Sequence, residues 1–200
     1  MKKSLTVGCV IMASGLSRRF GANKLLADFC GQPMLCRAFA ATAAPSISAR
    51  IVVTRSEEVQ ALCRAQGVPV LLHSLPGRND TVRLGLSALL EQLPELSGCM
   101  FLPGDQPLLR RESVGSLVDF YREHPEHIAA LGHGGVRGNP CLFPARLFPE
   151  LLALQGDHGG NQVIRRHEED LLLWEVPAPE LTDVDTPQVL AQLRRDMAEE

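Results

Sequence analysis

This sequence predicts an α/β fold, a mostly parallel sheet with helices on both faces, on three observations. Apolar runs of strand length alternate with segments of helical period, the pattern of parallel strands joined by crossover helices. The 200 residues amount to about 1.3 domains at roughly 150 residues each, so one domain over 1–200 is expected. Three Gly- or Pro-rich interruptions, 14–21, 132–144 and 156–160, each follow or join an expected element.

In chain order, strands are expected at 5–12, 50–54, 68–72, 99–102, 128–131 and 171–176, with a short addition at 141–143. The first follows Lys2-Lys3 and superficially resembles an export signal. Only four residues of the apolar run precede Cys9, however, and Ser17-Arg18-Arg19 is a poor cleavage site, so a buried strand is the better reading. Helices are expected near 34–43, 56–66, 81–93, 112–123, 145–154, 161–167 and 187–197. A turn at 76–79 leads into the third, with Asp80 as its N-cap. Pro187 opens the last, where its missing N–H costs nothing, and either Asp185 or Thr186 can cap it.

Composition narrows the function. With 45% apolar and 22% charged residues, disorder, collagen and coiled coil are excluded. Twenty Lys and Arg against 23 Asp and Glu give −3, which does not suggest nucleic acid or a membrane surface as partner; any anion must be bound locally. No run approaches the roughly 18 to 20 apolar residues that span a bilayer. The six cysteines, at 9, 30, 36, 63, 99 and 141, form no C-x-x-C pair, so reduced, mostly buried thiols in a cytoplasmic protein are expected.

In an open α/β sheet the ligand lies outside the carboxyl ends of the strands, which directs attention to the loops after the first and fourth strands. The first runs Ala13-Ser14-Gly15-Leu16-Ser17-Arg18-Arg19-Phe20-Gly21-Ala22-Asn23-Lys24. Small residues at 13–15 let backbone N–H groups approach an anion, and Arg19 and Lys24 add charge-assisted contacts to phosphate oxygens. Neither a Walker loop nor a G-x-G-x-x-G fingerprint is present, which discounts an NAD(P)-linked oxidoreductase. The fourth strand ends in Pro103-Gly104-Asp105-Gln106-Pro107, placing a carboxylate beyond an apolar run. Mg²⁺ needs only one or two such carboxylates beside substrate phosphates. Asp183-Val184-Asp185 offers two more at i, i+2, on one side if the stretch is extended. The helix start around Gly77 can face a nucleotide with its free N–H groups, with Arg83 near it.

Taken in order, A-S-G-x-S-x-R-F-G-x-x-K from Ala13 to Lys24, Arg83-x-Gly85-Leu86, Gly104-Asp105-Gln106-Pro107, Gly138-Asn139-Pro140 and Asp183-x-Asp185-Thr186-Pro187 resemble the MobA-like nucleotidyltransferases, nearest the molybdenum cofactor cytidylyltransferase branch. The resemblance spans nearly the whole chain. It implies a Rossmann-like, nucleotide-diphospho-sugar-transferase-like fold, with a nucleotide half at about 1–110 and an acceptor half at about 111–200. It also implies Mg²⁺ and transfer of CMP from CTP to the molybdopterin cofactor with release of pyrophosphate. The matched nucleotide positions are Ala13, Ser14, Gly15, Arg19, Lys24, Gly77, Arg83 and Gly85, with Arg19, Lys24 and Asp105 catalytic and the metal on Asp105 and Asp185, Asp183 remaining an alternative. Acceptor contacts are expected from Arg137, Asn139 and His158, and a molybdenum hydroxylase is the expected client. Ser14 stands where the family usually has Ala or Gly, and Asp80 where a small hydroxyl residue is common, so the nucleobase stays open. Another nucleotide or phosphorylated acceptor, and a non-catalytic cofactor carrier, are the alternatives.

Overall fold

The computed structural model describes residues 5–15, 17, 19–156 and 159–199. Its strands are β1 (Val7–Ala13), β2 (Asp28–Phe29), β3 (Gln32–Pro33), β4 (Ala49–Thr54), β5 (Val70–Leu72), β6 (Gly98–Pro103), β7 (Ile128–His133), β8 (Val136–Pro144) and β9 (Leu171–Glu175). The α-helices are α1 (Leu35–Ala41), α2 (Glu57–Ala65), α3 (Arg78–Gln92), α4 (Arg111–Glu123), α5 (Phe148–Leu152), α6 (Asn161–Arg166) and α7 (Pro187–Glu199). Seven strands form one sheet in the order β5-β4-β1-β6-β8-β7-β9, and β2 and β3 form a separate small hairpin.

Alternation along β1 explains the layers. Val7, Cys9, Ile11 and Ala13 face one core with buried residues of α1, α2, α4 and α7, while Val10 faces another with those of α3, α5 and α6. Helix α3 lies directly on the sheet at Gly85, where a Cβ would come within 2.5 Å of Val10 Cγ1 and 3.1 Å of Val53 Cγ2. Strands β4 and β6 flank β1, both parallel to it. Because β4 continues to β5 on one side and β6 begins the other side, the chain changes direction of winding at β1, and a crevice opens beyond its carboxyl end.

Two expectations need correction, and one alternative resolves. The Gly- and Pro-rich stretch 132–144 is not an interruption between elements with a strand only at 141–143; most of it is β8, antiparallel to both β6 and β7. The composition misled because Gly134 and Gly135, at φ +59° and +76°, supply only the hairpin turn. Pro140 falls within an irregularity of the β7–β8 ladder, where a missing N–H is tolerated. Downstream, Cys141 and Phe143 alternate with Leu142 between the two cores. Asp80, expected as an N-cap, is the third residue of α3: its carboxylate accepts the Gly77 N–H at 2.9 Å, and the helix starts at Arg78. At α7 the alternative resolves, since Thr186 Oγ1 accepts the Val189 N–H at 3.3 Å and leaves Asp185 free of capping. Among the described residues no helix is long and apolar enough to cross a membrane.

Candidate active site

A cleft of about 750 Å³ lies at the carboxyl ends of β1, β4 and β6. The loop after β1 forms its floor. Beside Gly15 a Cβ would meet nothing within 4 Å, so the backbone there borders open space. Ser17, at φ +49°, turns the chain and accepts the Lys24 N–H on its hydroxyl at 3.2 Å. Asn23 Oδ1 then accepts the Leu25 N–H at 3.2 Å and caps a short 3₁₀ turn that begins with Lys24.

That turn aims Lys24 at two carboxylates. Its Nζ lies 2.5 Å from Asp105 Oδ2 and 3.0 Å from Asp185 Oδ1, and Arg19 Nη2 reaches Asp185 Oδ2 at 3.1 Å. Lys24 is 11% exposed at its side chain and Arg19 74%, so the first contact is sheltered and the second solvated. Burial opposes the Lys24 charge, but Asp105 and Asp185 together outweigh it and raise its pKa. The hydrogen bond from Lys24 is also the main reason that the Asp185 carboxyl stays below its usual range.

Residues 180–185 are docked beside Asp105 by backbone groups. Glu180, nearly fully buried, accepts the Arg110 N–H at 3.1 Å at the start of α4. Gln106 Nε2 donates to the Leu181 carbonyl at 3.3 Å, and the Val184 N–H donates to the Asp105 carbonyl at 2.9 Å. Val184 is buried, so Asp183 and Asp185 on either side of it both turn to the cleft, as their spacing predicts. Burial, then the neighbouring Asp105, pushes the Asp183 carboxyl up to about 6. Among the described residues no group of three His, Cys, Asp or Glu side chains forms a ready metal cage. Asp105 and Asp185 nevertheless place one oxygen each on the same cationic nitrogen, which suits an Mg²⁺-like ion that draws its remaining oxygens from water and phosphates.

The wall next to β4 was not foreseen. Arg55, the first residue beyond that strand, donates from Nε and Nη2 to the Ser14 carbonyl at 2.9 and 2.5 Å and from Nη1 to the Pro76 carbonyl at 3.1 Å. It thereby ties the floor loop to the chain entering α3. Attention to the loops after β1 and β6 alone missed it; the same rule applied to β4 would have found it. Ser14 Oγ donates to the Val53 carbonyl at 3.1 Å and meets His73 Nε2 at 2.9 Å, so its hydroxyl braces the loop. Burial, then the Arg55 charge, lowers the His73 pKa. Thr81 was also missed: it lines the cleft with a buried hydroxyl that has no partner among the described residues. Arg55→Ala is expected to weaken nucleotide binding about tenfold by releasing both carbonyls, with the melting temperature little changed; calorimetry with CTP checks it.

Of the remaining expected residues, Gly77 lines the cleft, but Ala13, Arg83 and Gly85 do not. Ala13 is buried, with its carbonyl taken by the Thr54 hydroxyl at 3.0 Å. Arg83 pairs with Asp80 one turn back and faces a neighbouring depression bounded by Leu154, Gln155 and Gly156. Gly85 is the point at which α3 packs on β1 and β4, as described above, so its backbone faces the sheet and not the cleft. On β8, beyond β6 from β1, Arg137 donates to Asn161 Oδ1 at 2.8 Å and to Cys141 Sγ at 3.3 Å, and Asn139 also lines the cleft. Phe101 and Phe143, in edge contact at 5.7 Å, form an apolar floor below them. Asn79 Oδ1 holds the Gly159 N–H at 2.6 Å, fastening the loop before α6 to the start of α3. His158 lies outside the described residues.

An open α/β sheet with a basic and acidic cluster beyond the carboxyl ends of its strands at a winding reversal defines the class of α/β proteins that bind their ligands in that crevice. The chain belongs to the MobA-like NTP transferase domain family, which matches residues 9–171. It is 34% identical over 112 residues, 56% of this chain, to the 3-deoxy-manno-octulosonate cytidylyltransferase of Neisseria gonorrhoeae. That match spans 44% of the relative, so less than half of its length is covered. Purine catabolism protein PucB of Bacillus subtilis is 24% identical over 99% of this chain and 100% of its own. The crystal structure of Rv0371c from Mycobacterium tuberculosis superposes with a TM-score of 0.82 at 22% identity, over 96% of this chain and 98% of that one, and so shares the fold.

Proposed function

We propose that this chain is a divalent-metal-dependent nucleotidyltransferase that transfers CMP from CTP to the phosphate of the molybdopterin cofactor and releases pyrophosphate. The observation that carries it is the convergence of Lys24, Arg19, Asp105 and Asp185 in the cleft, whose lining also includes Arg137 and Asn139 from β8, beyond β6. The cytidylyltransferase relatives support CTP as the donor. Mg²⁺ bound by Asp105 and Asp185 would supply neutralisation of phosphate charge.

Lys24 and Arg19 contact the β- and γ-phosphates and stabilise the departing pyrophosphate. The base lies toward the start of α3, where the Thr81 hydroxyl awaits a partner. Arg137 and Asn139 hold the acceptor, with its flat ring system over Phe101 and Phe143. The acceptor needs no general base: a phosphate monoester has a second pKa near about 6 and is already mostly ionised at pH 7. The nucleophile is an acceptor phosphate oxygen, which attacks the α-phosphorus as the bond to the bridging oxygen of pyrophosphate breaks. The client of the product would be a molybdenum hydroxylase.

The test is incubation of the purified protein with each of the four NTPs, Mg²⁺ and molybdopterin cofactor, reading pyrophosphate and product mass. The cytidylylated cofactor, with one equivalent of pyrophosphate, is expected from CTP. Cofactor demonstrably bound with no pyrophosphate from any NTP would replace this reading with that of a carrier, and turnover with GTP alone would reassign the base.

A further inference from the structure

We propose that Lys24 makes metal loading conditional on nucleotide: its ammonium competes with the divalent ion for Asp105 and Asp185, and yields them when triphosphate oxygens take its place as partners. The inference rests on the reading of these two carboxylates given under Proposed function.

Three features of the contact support it. First, the ammonium engages both carboxylates at once, 2.5 Å from Asp105 Oδ2 and 3.0 Å from Asp185 Oδ1, so two of its three donors are committed to the oxygens a metal would use. Second, the contact is sheltered, with Lys24 and Asp105 only 11% and 18% exposed at their side chains, where charges are screened less than at the surface. Third, the backbone beneath Lys24 is tied down by the Ser17 hydroxyl and the turn capped by Asn23. The exchange of partners is therefore a side-chain rotation that leaves the loop in place.

A divalent ion drawn to the same oxygens meets the positive charge of Lys24 at close range. Either the ion binds weakly or the ammonium must leave. Leaving without a new partner would strip the ammonium of its ion pairs. A triphosphate in the cleft supplies that partner, so nucleotide and metal favour each other's binding, and the coupling is reciprocal. Arg19 is a lesser competitor, because it touches Asp185 alone and is 74% exposed.

Mn²⁺ binding to the full chain without nucleotide, followed by calorimetry and by water proton relaxation, tests the inference. Lys24→Met is expected to tighten Mn²⁺ binding about tenfold, Arg19→Ala about twofold or less, and Lys24→Arg not at all, since it keeps the charge. Lys24→Gln serves as a second neutral variant should the Met side chain disturb the fold, with near-ultraviolet circular dichroism as the control. Unchanged or weaker Mn²⁺ binding in a folded neutral variant, with Asp105→Asn still abolishing it, overturns the competition and leaves the metal assignment standing. If Asp105→Asn in the Lys24→Met background leaves Mn²⁺ binding intact, the metal assignment itself falls.

Discussion

Asp105→Asn is expected to leave the fold intact and to cut CTP-dependent pyrophosphate release by about a thousandfold or more. The fold survives because the residue holds the 180–185 stretch through its backbone carbonyl, which accepts the Val184 N–H, and not through its carboxylate. The substitution is nearly isosteric; it removes the charge and exchanges one acceptor oxygen for an amide donor. The carboxylate, in contrast, is the sheltered partner of Lys24 and the more enclosed of the two proposed metal oxygens, at 18% exposure against 46% for Asp185. Asp185→Ala is expected to be severely impaired as well, with loss of its contacts to Lys24 and Arg19 together. Circular dichroism and a thermal melt establish folding, and pyrophosphate release at saturating Mg²⁺ reads the chemistry. Near-normal turnover by folded Asp105→Asn would remove the residue from the proposed metal site.

Gly85→Ala is expected to act on stability instead. A Cβ there would sit 2.5 Å from Val10 Cγ1 and 2.8 Å from Val10 Cγ2, closer than real carbons approach, against a fully buried strand residue that cannot move aside. Helix α3 must lift from β1 and β4, at a cost of roughly 2 to 3 kcal/mol, which lowers the melting temperature by about 4 to 12 °C. Urea unfolding measures the loss. Because the cleft lies beyond the start of α3, the residual folded enzyme at low temperature should bind CTP with affinity within about threefold of the parent. A strong loss of CTP affinity without loss of stability would return Gly85 to the nucleotide site.

Much of the fold was legible because burial on two faces leaves strong traces. The β1, β4, β6, β7 and β9 segments read as apolar runs, and every α-helix overlaps an expected one. The nine-residue β8 was legible only at its carboxyl half, where Cys141, Leu142 and Phe143 are buried; its amino half, 136–139, is exposed or half-buried and contains no apolar alternation. In the candidate site, residues with charge at distinctive spacing were foreseen and came together: Arg19, Lys24, Asp105 and Asp185. Gly85 was expected at the nucleotide and stands instead where α3 packs on the sheet, because a glycine needed for close packing and one needed near a phosphate look alike in sequence. Arg55 escaped notice for the opposite reason, since a single arginine after a strand has no motif around it, and its partners are two carbonyls contributed by distant loops.

The reversal of β8 divides labour by strand polarity. The Arg19, Lys24, Arg55 and Asp105 side of the cleft is built at the points where parallel strands β1, β4 and β6 finish. Arg137 and Asn139 instead stand where a strand begins, just after a two-glycine turn at Gly134 and Gly135 whose N–H groups donate to the Glu175 carboxylate at the end of β9, at 2.8 and 3.1 Å. Between that turn and the Cys141–Phe143 rungs with β6, Gly138 is held by close packing, because a Cβ there would come within 2.9 Å of Leu181 Cδ1. The two groups of cleft residues are thus anchored by different devices, one by the ends of parallel strands and the other by a hairpin tied to β9, so a substitution in one group need not pass through the elements that hold the other.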